Sequence, residues 1–335
     1  MSMRTVAILA TAAAASLAHA ANPVTYAVRE LPPLKAAPCP TGQPGALSPT
    51  SGLVVGTSCR RQGGQPAAVV WDGATSRALI SPSADYTSPA AVNDRGQAAG
   101  WIDDSDLIHT QAVLWRNDGH VSPLAPLAEG DSTEAWGISA TGDVAGLELN
   151  DGDNRWIPVQ WHHRQPKLLA LPASQVGGYV TTVSAQGVMA GRSYDATGAE
   201  RAILWQGGSA TLVGPKMSMA LGVNDAGTVV GEYRPFPGVD GSFLATTTST
   251  TILSLRSASA INSAGVVVGD SGGQAVRWFN GQVQAFDTLL DAEARAAGWR
   301  FYFAGDIDDA GRVIATGERN DGLGWRTVEL VPAGL

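Results

Sequence analysis

The sequence predicts an all-β chain: a seven-bladed β-propeller of four-stranded antiparallel blades, with the ring closed by an N-terminal strand that completes the last blade. Three observations carry this. A Gly-x-x-x-Gly motif recurs at Gly52/Gly56, Gly96/Gly100, Gly142/Gly146, Gly187/Gly191, Gly227/Gly231 and Gly265/Gly269, with Gly311 and Ala315 as a seventh copy. Successive first glycines lie 44, 46, 45, 40, 38 and 46 residues apart. An aromatic landmark follows each motif, and four short strands within roughly 40–45 residues make up one propeller blade. A short, continuously apolar run occupies the middle of each repeat, as in Val229-Val230 and Val266-Val267-Val268. Such runs mark strands buried on both faces, which stacked blades require.

Each repeat opens on a turn. In Val223-Asn224-Asp225-Ala226-Gly227, the Asn and Asp side chains bond their own backbone two residues on, and Gly accepts positive φ in a short hairpin loop. The second glycine, such as Gly231, stands where a residue without Cβ is needed because another backbone comes close. Trp71, Trp115, Trp161 and Trp205 follow at 18 or 19 residues from the first glycine, Trp278 and Trp325 at 13 and 14, and Phe243 at 16. These aromatics are expected to pack blade against blade.

These motifs, Asn-Asp-x-Gly-x-Val-x-Gly followed by Ala-x-x-Trp-x-x-Gly, resemble the HAF-repeat family of bacterial extracellular repeat proteins. The stretch from Phe286-Asp287-Thr288-Leu289-Leu290 through Gly298-Trp299 to Asp308-Asp309-Ala310-Gly311 is similar to the usual end of such proteins. The resemblance implies a secreted, propeller-like repeat protein and supplies no catalytic residues. The first repeat departs from the pattern, with Ser48-Pro49-Thr50-Ser51 in place of Asn-Asp.

In chain order, residues 1–20 read as a signal peptide. Arg4 precedes an apolar run from Val6 to Leu17, and Ala18-His19-Ala20 is a small-x-small cleavage site. The run is shorter than the ~20 residues of a spanning helix, so an extracytoplasmic chain starting at Ala21 is expected, periplasmic or secreted. Residues 21–335 then form one domain. Thr25–Leu34 resembles the fourth strand of a repeat, and the seventh repeat is one strand short. Pairing the two would remove two exposed sheet edges. Cys39 and Cys59 are the only cysteines. In an oxidising compartment a disulfide is expected, closing a loop of about 20 residues at ~3 kcal/mol. Asp287–Ala297 carries helix formers with an Asp start and Gly298 as stop, so one helix is predicted there.

The net charge of −8 and the lack of basic runs exclude nucleic acid and anionic membrane surfaces as expected partners. Fingerprints of serine hydrolases, zinc proteases, P-loops and dinucleotide folds are missing. His109 and the adjacent His162-His163 lack ligand partners at metal-site spacing. The expected function is a non-catalytic binding or scaffold module for a glycan or protein ligand of the cell envelope or its surroundings. Its site is expected on the variable loops between strands two and three. The candidate contacts there are Trp101, Asp103, Asp104, Asp106, Asp151, Asp153, Trp156, Tyr233 and Phe236. No cofactor is expected; calcium is the one ion such acidic loops would suit, although neither loop ends in the Glu of a calcium loop. The alternative is a glycan-active hydrolase or lyase using loop carboxylates, which needs two placed acids.

Overall fold

A computed structural model describes residues 24–34, 42–58, 67–79, 86–103, 109–150, 152–236 and 239–335. The expected signal peptide, Cys39, Cys59, Asp104, Asp106 and Asp151 lie outside the described residues. The strands form seven four-stranded antiparallel sheets. In blades 1 to 6 the spatial order of strands equals their chain order. Their first strands are Gln43–Leu47, Tyr86–Val92, Ser132–Ile138, Gly177–Val183, Ser218–Val223 and Ser257–Ile261. Blade 7 takes Arg300–Ile307, Val313–Glu318 and Arg326–Pro332 from the end of the chain and Tyr26–Arg29 from its start. The expected closure is thus present, with Tyr26 opposite Pro332 and Arg29 opposite Glu329. Residues from all seven first strands line one central channel.

The turns that open each repeat do more than reverse the chain. All seven first glycines have positive φ, from 72° at Gly96 to 92° at Gly142, which L side chains resist. The Asn side chain bonds its own turn and also reaches forward: Oδ1 of Asn224 accepts from Thr228 N, while Nδ2 donates to the Asn262 carbonyl of the next blade. Asn262 repeats this toward Asp308, and Asn93 toward Ser139. The Asp that follows reaches backward: Asp94 accepts from Thr50 and Ser51, Asp225 from Gln186, and Asp309 from Ser263. These bonds tie blades 1 to 2, 2 to 3, 4 to 5, 5 to 6 and 6 to 7 at this end of the ring, the last pair in both directions.

The second glycine is explained by a feature the sequence did not announce. Every first strand carries a register shift: after Pro44, Pro89, Ala135, Val180, Ala220, Ala258 and Ala304. The extra residue is a β-bulge, which bends the strand and re-aims its side chains. In blades 1 to 6 the residue before the bulge faces the second glycine of the motif. A Cβ at Gly191 would overlap the Tyr179 carbonyl oxygen, and one at Gly231 the Met219 carbonyl oxygen. Blade 7 has Ala315 there, and its first strand has a second shift after Phe301, where Gly317 meets the Arg300 carbonyl.

Trp71, Trp115 and Trp161 are fully buried and Trp205 nearly so. The indole N–H of Trp161 donates to Ala125 O and that of Trp205 to Ala170 O, each just beyond the last strand of the preceding blade. Trp71 donates to Pro32 O, beyond the closing strand, so the seam between blades 7 and 1 repeats the internal joints. Two members of the aromatic series are corrected. The residue opposite Val229 at the tryptophan position is Ala245, while Phe243 lies two residues earlier, buried opposite Gly231. In blade 7 the position belongs to Leu330, and Trp325 is 69% exposed, stacked on Tyr302.

The single expected helix is also corrected. Phe286–Leu289 is a 3-10 turn, and the α-helix covers only Ala292–Ala296, capped by the Asp291 side chain. Asp287 does not start it, because its carboxylate accepts from Phe301 N. Leu290 is extended and bridges to Tyr26, and Asp291 N donates to Tyr26 O. The segment therefore covers the free edge of the closing strand, and it buries Phe286, Leu289 and Leu290 around Tyr26.

The seam has bonds of its own. Blade 7 carries Asp308 where blades 2, 5 and 6 carry Asn and blades 1, 3 and 4 carry Ser, and a carboxylate cannot donate forward. Arg312, paired with Asp308 at 2.7 Å, donates to Thr50 O of blade 1 in its stead. Inside the channel Asp306 accepts from Leu47 N of blade 1 at 2.7 Å and from Ile307 N. Its counterparts in the other blades are Ala, Gly or Thr (Ala46, Ala91, Gly137, Thr182, Gly222, Ala260). The channel reaches Asp306, yet protein surrounds it deep in the ring, and burial pushes its carboxyl up to about 6 despite the two N–H donors. A carboxyl raised above its unfolded value of ~3.9 makes the native state bind more protons than the unfolded state between these pH values. Stability from this group is then greatest below pH ~4 and falls as pH rises to about 6. Asp306→Asn should remove that dependence, so that urea melts of variant minus wild type shift in the variant's favour between pH 4 and 6 and stay level above. An unchanging difference over that window would contradict the protonation account.

Candidate functional site

The channel widens at the end where the loops between strands two and three emerge, into a cavity of about 880 Å³. The first strands build it, and the bulges decide what they show. Five blades each present two residues, at the bulge and two positions before it: Glu134 and Trp136, Tyr179 and Thr181, Met219 and Leu221, Ser257 and Ser259, Phe303 and Gly305. The bulge residues also line the narrower channel of about 240 Å³ that continues to the clasped turns. They form the waist between the two spaces.

The wall is two-sided. Blades 3 and 4 supply Trp136, Trp156 and Tyr179, with Leu147 and Leu149. Trp101 lies behind Trp136 at 4.9 Å between ring centroids. Trp156 meets Tyr179 edge to face at 5.3 Å, and the Arg192 guanidinium sits 5.2 Å and 5.0 Å from these two rings. Arg192 is paired with Glu200 at 2.9 Å. Blades 5 and 6 supply charge instead: Glu232, Arg256 and Asp270. Arg256 Nε donates to Asp270 Oδ2 at 2.7 Å. The Asp270 side chain is 1% exposed, and its Oδ1 has no hydrogen-bond partner. The buried Oγ of Ser259, at the waist, also has none.

Glu134 is the unusual acid. Burial raises its carboxyl above the ordinary range, against the Trp136 indole N–H that donates to it at 3.0 Å, and the Asp103 charge adds to the rise. A carboxyl so held keeps its proton nearer neutral pH than a free one.

The sequence candidates are divided by this geometry. Trp156 lines the cavity, Trp101 backs it, and Asp103 acts on Glu134 from the adjoining blade. Asp153 lies in a surface pair with Arg155 at 3.4 Å. Phe236 is 70% exposed and Tyr233 packs on the core between blades 4 and 5, and neither is among the cavity residues. Among the described residues no group of three or more His, Cys, Asp and Glu is placed to hold a metal ion. Glu134, Trp136, Tyr179, Glu232, Arg256 and Asp270 were not anticipated. A signal for several existed: the channel-facing pairs of blades 3 to 7 stand eight and six residues before the turn glycine, as Glu134 and Trp136 do before Gly142. A position fixed in register but changing in chemistry from repeat to repeat is one turned toward a ligand space.

No family model matches the chain, and no curated protein matches its sequence. Solved structures do share its fold. Streptogramin B lyase is similar over 92% of this chain and 98% of its own, at 13% identity and a TM-score of 0.52. The virginiamycin B lyase of Staphylococcus aureus matches over 91% and 99%, at 12% identity and a TM-score of 0.53. The β-propeller domain of the Trilobed protease from Pyrococcus furiosus, described as having an open velcro topology, matches over 88% and 94%, at 8% identity and a TM-score of 0.58. At such identities the likeness is one of fold. No helix of the described residues is long and apolar enough to cross a membrane.

Proposed function

We propose that the chain is an extracytoplasmic, non-catalytic binding propeller of the HAF-repeat kind, whose ligand enters the wide mouth of the channel. One observation carries this: a cavity of about 880 Å³ whose walls join several aromatic side chains to a few convergent polar groups. That combination is the usual character of a ligand pocket. Location on the ring supports it, since the lining residues other than Arg256 stand on strands of the blades. Export is supported by the n-region, apolar run and small-x-small site within residues 1–20.

Three tryptophans in or behind the cavity make it observable. Oligosaccharides and short peptides that occupy it should alter tryptophan fluorescence and raise the melting temperature. Trp136→Ala, which removes a half-buried side chain, should abolish both responses while leaving a folded protein. Responses that survive Trp136→Ala but vanish with Phe236→Ala would move the site to the outer loops.

A second reading has one observation in its favour. Glu134, with its raised carboxyl beside aromatic side chains, has the character of a general acid. A glycan-active hydrolase or lyase would then use Glu134 rather than the loop acids first considered. Product release from polysaccharide by the wild type, lost in Glu134→Gln, would establish it and displace the binding module.

A further inference from the structure

We propose that the wide mouth of the channel selects a basic side chain carried on an apolar peptide: a lysine or arginine flanked by apolar residues. This rests on the binding reading above and names its ligand class. Charge gives the first argument. The cavity is lined by Glu134, Glu232 and Asp270 against a single base, Arg256, and that base is committed to Asp270 at 2.7 Å. Arg192, behind the aromatic wall, pairs with Glu200 through Nη1, while its buried Nε has no hydrogen-bond partner. A carboxylate ligand would meet Glu134 and Glu232 and only bases already paired with acids, whereas an ammonium or guanidinium would meet three acids, of which Asp270 holds Arg256 and Glu232 has Arg234 at 3.7 Å.

The second argument is a buried acceptor. Asp270 Oδ1 is shielded from solvent and receives no donor from the protein, while its sister oxygen holds Arg256. A buried carboxylate oxygen left so is costly unless a donor reaches it. The donor must carry N–H or O–H, which a primary ammonium or guanidinium does and a quaternary ammonium does not. Ser259 Oγ, on the same blade at the waist, is a second polar atom without a partner and serves as a further anchor.

The third argument is the opposite wall. Trp136, Trp156 and Tyr179, with Leu147 and Leu149, give apolar area to the body of a peptide. The aromatic faces also attract a cation directly, as the Arg192 guanidinium over Trp156 and Tyr179 illustrates within the protein. An acidic half facing an aromatic half fits an amphipathic cation better than it fits a neutral sugar, which needs no excess of charge.

Four capped tripeptides make the test: Ac-Leu-Lys-Leu-amide and its versions with arginine, with acetyl-lysine and with glutamate in the centre. Titration into the purified protein is followed by tryptophan fluorescence and calorimetry. The lysine and arginine peptides should bind at least tenfold more tightly than the acetyl-lysine peptide, with the glutamate peptide weakest, and added salt should narrow the difference. Asp270→Asn should erase the preference. Because Asp270 is buried and paired, Glu232→Gln is the companion variant, expected to reduce the preference at least threefold without loss of fold. Equal binding of all four peptides, lost in Trp136→Ala, would overturn the charge selection and leave the binding module intact. No binding of any peptide would also overturn it, and oligosaccharide titration would then decide the module itself.

Discussion

Gly191→Ala should lose about 3 kcal/mol or more of stability, the upper end of what overpacking costs, while Gly187→Ala, four residues earlier, should lose only ~1–2 kcal/mol. The two glycines are needed for different reasons. Gly187 sits at φ 80° with no close neighbour, the nearest atom to an added Cβ being Ser139 Cβ at 3.9 Å. An alanine there pays backbone strain alone. Gly191 faces Val180 across the inner pair of strands, beside the bulge, and its Cβ would occupy the space of the Tyr179 carbonyl oxygen. The strand could move aside only by shifting Tyr179 and Thr181, which line the cavity. Urea melts of both variants give the comparison, and tryptophan fluorescence reports whether the cavity wall moves. A Gly191→Ala midpoint equal to or above that of Gly187→Ala would refute the bulge contact as the reason for the second glycine.

Removing residues up to Leu34 should lower the melting temperature by roughly 10 °C or more, since a loss of several kcal/mol in a chain of this size moves it by a few degrees per kcal/mol. The loss is concentrated. Tyr26 is 2% exposed and meets Phe286 edge to face at 5.3 Å. Arg29 pairs with Glu329 at 3.0 Å, and Glu30 with Arg319 at 3.1 Å. Trp71 would lose the acceptor for its indole N–H. The last sheet would be left with Arg326–Pro332 as an open edge, a site for pairing with another chain. A peptide of residues 24–34 added to the truncated protein should restore part of the loss in proportion to its concentration. Scanning calorimetry with and without the peptide tests this, and an unchanged melting temperature after truncation would mean that the ring does not depend on this closure.

Both effects were partly legible beforehand. The Asn-Asp-x-Gly turns, the seven copies and the missing fourth strand are local or counting signals, and they located the turns, the ring and its closure. The second glycine was marked as a close backbone approach, but the bulge behind it depends on the partner strand and has no sequence signature of its own. The aromatic series differs. Aromatic identity assigned Phe243 and Trp325, while the 18- and 19-residue spacing of the first four repeats points to Ala245 and Leu330, where strand register puts the tryptophan position. The helix was overextended because Asp287, a good cap in isolation, bonds a distant N–H. Most of the candidate site was missed for one physical reason. Loops vary visibly between repeats, while Glu134, Tyr179 and Met219 vary inside strands whose neighbours are regular.

The division of blade 7 between the two ends of the chain separates the unit of sequence from the unit of structure. A copied segment beginning at one Asn-Asp turn and ending before the next contains strands two to four of one blade and strand one of the following blade. Its insertion between two interior repeats would leave the closing strand, Arg312 and Asp306 untouched. Each copied turn would find a forward carbonyl and a backward N–H already in the pattern it needs. Ring size is thereby open to change by whole-repeat duplication, with the wide mouth gaining or losing one two-residue station at a time.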